Sequence, residues 1–305
     1  MSARPRRAFT LFQLLTLLAL LVLGLALFLP ALAKVRTAAA RIQSTNNLKQ
    51  IGIASINYYD ANRVFPPGCD ANNFSTATYL LPYIEQNNLY KTIDLKKSVD
   101  DKTNADARRA VIKVFLSPLD PATKVKDAFG ATNYLFNAGS KTDLKDDDGV
   151  FYSESKVRLP DIADGTSNTL LAVETLKGDG NDKPESPDVR RQYVLLKKDV
   201  VNGIKDDAGV AFFKAGKNIS GDRCASWMDG RFLQGTFNTR LAVNDGKPDV
   251  SCGGAGGLSG LRGQAEGVNV GFADGSVRFI SQAVKPNVWK LLTSRNDGQV
   301  LPPGL

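Results

Sequence analysis

The sequence predicts an α+β fold: a long N-terminal helix, first transmembrane and then amphipathic, packed on a mainly antiparallel β-sheet with long loops. Three observations carry this. The chain from Leu14 to Asn62 is rich in helix formers and, after Lys34, free of proline. Apolar residues alternate on both sides of Asp274-Gly275. Between these ends lie short apolar runs separated by acidic, glycine- and proline-containing stretches.

The helix comes first. Leu14 to Ala33 is an apolar run of twenty residues without an ionisable side chain. At about 1.5 Å of rise per residue it matches a hydrocarbon core of about 30 Å, so a transmembrane helix is expected over residues 9–33. Val35, Ala39, Ile42, Leu48, Ile51 and Ser55 follow at spacings near three and four, which predicts an apolar stripe on an amphipathic extension over 34–62. Residues 1–8 form a basic leader and 63–305 a head domain. Arg4, Arg6 and Arg7 precede the apolar run and Lys34, Arg36 and Arg41 follow it, so flanking charge does not orient the span. The short leader favours a single pass through the cytoplasmic (inner) membrane, N-terminus in and head outside the cytoplasm.

Composition removes several functions. The net charge is +8, but seven cations from Arg4 to Lys49 precede the first acid, Asp60, leaving +1 for the rest. The basic balance therefore belongs to the membrane-flanking segment, and nucleic acid is not an expected partner. There is no histidine, which excludes a histidine triad, general base or metal ligand. No phosphate loop, nucleophile elbow or CxxC pair is present. Cys69, Cys224 and Cys252 are too few for a disulfide framework; Cys224 and Cys252 are left open as a pair.

Along the head, Pro66-Pro67-Gly68 stops the helix. Tyr79 to Tyr90 reads as a short aromatic-rich helical or irregular segment, residues 105–116 as a short helix, and Ser117 to Pro121 as a turn. Strands are expected at Thr132–Asn137 and Asn168–Val173. Residues 216–263 read as irregular, with Trp227 and Phe237 as anchors. Around Asp274-Gly275, Val268, Val270 and Phe272 on one side and Val277 and Phe279 on the other predict a hairpin with one buried face. Pro286 opens a last helix that Gly298 is placed to stop.

Two stretches resemble known families. RRAFTLFQLL is similar to the processing site of type IV pilins and type II secretion pseudopilins. The resemblance implies that a prepilin peptidase cuts between Ala8 and Phe9 and methylates the new amine, with Thr10 in the recognised motif. It also makes Pro30 the helix-kinking proline. Ala8 stands where those proteins have glycine, and Gln13 where they have the glutamate that pairs with a neighbouring subunit's amine. A neutral Gln13 cannot neutralise that amine, which favours a minor or tip-like subunit. Two plainer readings stand beside this one: an uncleaved signal anchor, and a signal peptide cut after Ala33.

NNLKQIGIASINYYDANRVFPPG, DIADGTSNTLLAVE and EGVNVGFADGSVRFIS together resemble the bacterial family named for domain of unknown function 1559. The resemblance implies a prepilin-type leader and a C-terminal His-x9-Asp-Gly signature. Here that signature falls on Asp274 and Gly275, with Gln264 in the histidine place. Its FLCPSDP-like turn is Phe115 to Pro121, with Ser117 in the cysteine place. A metal or redox role for either position does not carry over.

One ion site is a candidate: Asp143, Asp146, Asp147 and Asp148, or Asp179, Asn181 and Asp182, could hold Ca²⁺ through hard oxygens. The plainer reading is solvated acidic loops. The sequence thus points to a non-enzymatic, membrane-anchored envelope protein of pilin or pseudopilin type. Its partners would be the membrane, other pilin-like subunits bound through the N-terminal helix, and a prepilin peptidase. The alternative is an extracytoplasmic solute- or partner-binding module tethered by a signal anchor, with residues 177–263 as its ligand surface.

Overall fold

The computed structural model describes residues 11–120, 124–180, 187–263 and 266–302, and within the first helix every side chain except those of 23–31 and 33. The chain divides into two compact units, Met1–Ile42 and Gln43–Leu305. Every described residue of the first unit belongs to α1 (Leu11–Asn62). From Leu11 to Val22 its side chains are exposed all round, Leu11 and Phe12 by 75% each. Val35, Ala39 and Ile42 are exposed as well, so the expected stripe is not buried in its first half. Among the described residues no helix is long and apolar enough to cross a membrane. The expected span of 9–33 falls partly on residues and side chains outside those described.

In the second unit α1 buries Ser44, Asn47, Leu48, Ile51, Gly52, Ala54 and Ser55. It ends where expected: Arg63 turns left-handed (φ 62°) and its N–H donates to the Tyr59 carbonyl at 2.6 Å. Three short helices follow, α2 (Thr76–Leu80), α3 (Asn87–Tyr90) and α4 (Ala105–Arg109). The Ser75 hydroxyl caps α2 by accepting from the Thr78 N–H. The helix expected over 105–116 is shorter than predicted, because Ala110 turns extended and its carbonyl accepts from Trp227 Nε1 at 2.8 Å. A 3-10 turn then occupies Lys113–Phe115.

The strands are β1 (Tyr134–Gly139), β2 (Leu170–Glu174), β3 (Tyr193–Leu196), β4 (Ile219–Ser220), β5 (Thr236–Asn238), β6 (Asp249–Cys252), β7 (Gly257–Leu258), β8 (Gly267–Phe272) and β9 (Val277–Ser281). Helix α5 (Val210–Lys214) lies between β3 and β4, and α6 (Pro286–Leu291) follows β9. Five strands form one sheet in the order β5-β1-β2-β8-β9, and four form a second in the order β4-β3-β6-β7. Each sheet is mixed, through the parallel pairs β1–β5 and β3–β6.

The five-stranded sheet is covered on both faces. Tyr134 and Phe136 join a cluster with Leu48 and Ile51 of α1, whereas Leu135 joins Val268, Val270, Phe272 and Trp289 of α6. A strand buried on both sides reads as continuously apolar, which is why Tyr134-Leu135-Phe136 shows no polar alternation. The β8–β9 register pairs Val268 with Ile280 and Gly271 with Val277. Val277 and Phe279 therefore lie on the face opposite Val268, Val270 and Phe272, against expectation. Ile280 is 3% exposed and Phe279 53%. A shift of one residue in the turn exchanges the faces.

The second sheet corrects the reading of 216–263 as irregular. Val194, Val250, Cys252 and Leu258 give it a small core of its own. The expected anchors Trp227 and Phe237 are fully buried. Helix α6 ends at Leu291, well before Gly298, because Pro286 to Leu292 already brings Val288, Trp289 and Leu292 into the interior.

Candidate functional site

The three sequence blocks that carry the family resemblance meet at one place, the seat of α1 on the head. Ser44 and Asn47 are polar, yet both are buried on the side of α1 facing β1. Ser44 Oγ lies 3.2 Å from the Tyr134 hydroxyl, and Asn47 Nδ2 donates to the Leu116 carbonyl at 2.9 Å. Gln43 Nε2 donates to Asn47 Oδ1 at 3.0 Å and fixes its orientation. Ser55 returns its hydroxyl to the Ile51 carbonyl at 2.8 Å, so it enters the interior without an unmet donor.

One turn farther along the helix, Gly52 meets the hairpin tip. A Cβ on Gly52 would lie 3.2 Å from the Gly275 Cα. Gly275 has φ of +80°, which a side chain rarely adopts. Asp274-Gly275 is thus a docking turn: the Ser276 N–H donates to Asp274 Oδ1 at 2.8 Å and the Gly275 N–H to the Phe272 carbonyl at 2.9 Å. The second block holds the other side. The Asp274 N–H donates to the Thr166 carbonyl at 3.0 Å and the Ala273 N–H to that of Thr169 at 2.9 Å. Asp164 in turn accepts the Asp297 and Gly298 N–H groups at 2.7 and 2.8 Å, tying down the C-terminal segment.

These contacts position rather than react. Of the other singled-out residues, Ala8, Phe9, Thr10 and Gln264 lie outside the described residues. Gln13 is exposed on α1, and Pro30 lies within α1 with its side chain outside the described set. Asn47 was missed as the partner of the Leu116 carbonyl, and Gly52 and Thr166 as partners of the hairpin. A lone glycine inside a helical pattern was the available signal for Gly52.

The expected calcium residues have other partners. Asp148 accepts from the Ser140 N–H at 2.6 Å and hydroxyl at 2.7 Å. Asp147 Oδ1 accepts from the Lys141 and Asp148 N–H groups at 3.0 and 2.8 Å. Burial, then the neighbouring Asp148 charge, pushes the Asp147 carboxyl up to about 8. Asp146 turns left-handed, its carbonyl accepting from Lys141 Nζ. Asp143 Oδ1 accepts from the Lys145 N–H, and Asp179 Oδ2 from Gln192 Nε2 at 2.6 Å. Asn181 and Asp182 lie outside the described residues. Among the described residues no group of three or more acids or cysteines is placed to hold a metal.

Nor do the cysteines offer a nucleophile. All three are free and buried. Burial pushes Cys69 up to about 12 and Cys224 and Cys252 up to about 11, so none is a thiolate at neutral pH.

Residues 33–287 match the model of a family described as a protein of unknown function, DUF1559 (SBP_bac_10). The chain belongs to the DUF1559 family. No curated protein and no solved structure matches it. The match begins within α1 and ends within α6, so this DUF1559 protein carries the seat of its helix and both sheets inside the family's shared region.

Proposed function

We infer that this DUF1559 protein is a membrane-anchored envelope protein of pilin or pseudopilin type, a minor or tip-like subunit that acts through helix association and not through catalysis. One observation carries the reading. Nine large apolar side chains of α1, from Leu11 to Val22, are each more than half exposed and point in every direction around the helix. Each is worth about 1.5–3 kcal/mol when removed from water, so leaving all nine in solvent would cost more than about 10 kcal/mol. A helix apolar all round is built for a lipid or multi-helix environment, not for one wet face. Gln13 and Thr16 interrupt it, and the Thr16 hydroxyl returns to the Phe12 carbonyl at 2.7 Å, an arrangement compatible with lipid.

The head would sit outside the cytoplasm and present surface contacts, while the N-terminal helix binds other pilin-like subunits after a prepilin peptidase has acted. The sequence supports a non-enzymatic role through its lack of histidine. Mass spectrometry of the mature N-terminus tests the proposal. A methylated Phe9 start is expected. A Met1 start reduces the helix to a plain anchor, and a Lys34 start removes the membrane role altogether.

A further inference from the structure

A cavity of about 250 Å³ opens on the head where α4, β3, β6 and the segment 222–234 come together. Its acidic side chains already have partners. Arg231 grips Asp229 with two fingers, Nε at 2.9 Å from both carboxylate oxygens and Nη2 at 2.5 Å from Oδ2. Asp222 Oδ1 accepts the Tyr193 and Ser220 hydroxyls at 2.6 and 2.7 Å, and Oδ2 faces Lys126 Nζ at 3.4 Å. The lining amide of Gln234 is satisfied at both ends, by the Asp222 carbonyl and the Ala225 N–H.

What remains without a partner in the lining is the Ser226 hydroxyl, in a residue only 4% exposed, and Arg108 Nε. Arg108 lies over the Phe129 ring at 5.0 Å and uses Nη1 on the Val99 carbonyl at 2.7 Å. Buried polar groups without partners are rare, because each has given up its water for nothing. Arg108 Nε can only donate, and a hydroxyl can donate, so what they lack is an acceptor. One of these two residues already holds a carboxylate. Asp100, half-exposed, places Oδ1 3.2 Å from Arg231 Nη2 and 3.4 Å from Arg108 Nη1, a carboxylate between two guanidiniums.

We propose that this cleft binds a small carboxylate-bearing solute, whose carboxylate replaces that of Asp100 between Arg108 and Arg231 and accepts from Ser226 Oγ and Arg108 Nε. Planar guanidiniums match a carboxylate in pairs, which selects it over a spherical anion. At about 30 Å³ per water the cavity holds roughly eight, room for a short-chain dicarboxylate or an amino acid. Phe129, Phe232 and Leu195 supply an apolar wall for its carbon chain. The assignment is independent of how the protein is anchored.

The test uses the full-length protein in detergent, titrated calorimetrically with succinate and with L-glutamate at neutral pH, and with sulfate and neutral succinamide as controls. One carboxylate should bind once per chain and raise Tm; succinamide and sulfate should do neither. Ser226→Ala removes no bond within the protein and relieves an unmet hydroxyl, so it should hold or raise the unliganded Tm while weakening binding by about fivefold or more. Asp100→Asn, which removes the internal competitor, should tighten it. The proposal falls if neither carboxylate binds at about 10 mM, if sulfate binds as well as they do, or if Ser226→Ala binds unchanged.

Discussion

The two halves of α1 differ in how polarity goes with burial. From Leu11 to Val22 the helix is almost wholly apolar and exposed; from Ser44 to Ser55 it buries Ser44, Asn47, Gly52 and Ser55 beside Leu48, Ile51 and Ala54. The difference teaches that close approach and hydrogen bonding seat this helix alongside the apolar contacts of Leu48, Ile51 and Ala54. Small residues let the backbones of Gly52 and Gly275 approach, and each polar side chain that enters has a named partner in Tyr134, Leu116 or Ile51. Among the described residues the large apolar side chains of the first half are exposed, as suits another solvent.

The sharpest break of this comparison removes one half. A chain starting at Gln43 should lose membrane association altogether and move from the pelleted membranes to the supernatant, with the Tm of the head unchanged. Retention in the pellet would show that the head binds membrane by itself.

Gly52→Leu attacks the other half. Its side chain would have to displace backbone at Gly275, and overpacking of about 3 kcal/mol would lower Tm by roughly 6–12 °C in a domain of this size. Gly52→Ala should cost far less, because about 1 kcal/mol gained in helix propensity offsets its contact with Gly275, and a Gly52→Leu loss no larger than that of Gly52→Ala would show that the hairpin does not limit the space at this position. Asn47→Leu leaves the Leu116 carbonyl unmet and should cost about 1–3 kcal/mol, read as a shift in denaturation midpoint at constant slope.

Asp147 sharpens the rule, because unlike Ser44 and Asn47 it enters the interior with one oxygen, Oδ2, unpartnered. Its folded carboxyl titrates near 8 against about 3.9 for an unfolded aspartate, so the folded state holds the extra proton between those limits. Stability conferred below pH 4 is then lost as pH rises through 8. Tm should fall from pH 5 to pH 8, and Asp147→Asn should flatten that slope. The smallest effect is expected of Leu15→Ser with Leu18→Ser, which should leave head stability within about 0.5 kcal/mol of wild type while weakening membrane association.

Much of the first sheet was legible. β1, β2 and β8 announce themselves because each is five or six residues long and rich in Val, Leu and Phe. The second sheet was not, because β4 and β7 have two residues each and β3 finds its parallel partner β6 more than fifty residues away. Pairing at that distance leaves no local pattern. The Asp274-Gly275 turn was legible as a turn but not as the seat of α1, since nothing local connects Gly275 to Gly52. The cleft around Ser226 was hidden altogether: its side chains come from five separate segments, and its signal is a missing hydrogen bond, which no spacing encodes.

The wide separation of Gly52 and Gly275 has a consequence for biogenesis. At about 5–20 residues per second, a ribosome makes the hairpin roughly 10–45 s after the helix that rests on it. Throughout that interval Gly52 has no counterpart, and β2 waits for β8 with an open edge. Truncation near the C-terminus should therefore be far more damaging than truncation at the start.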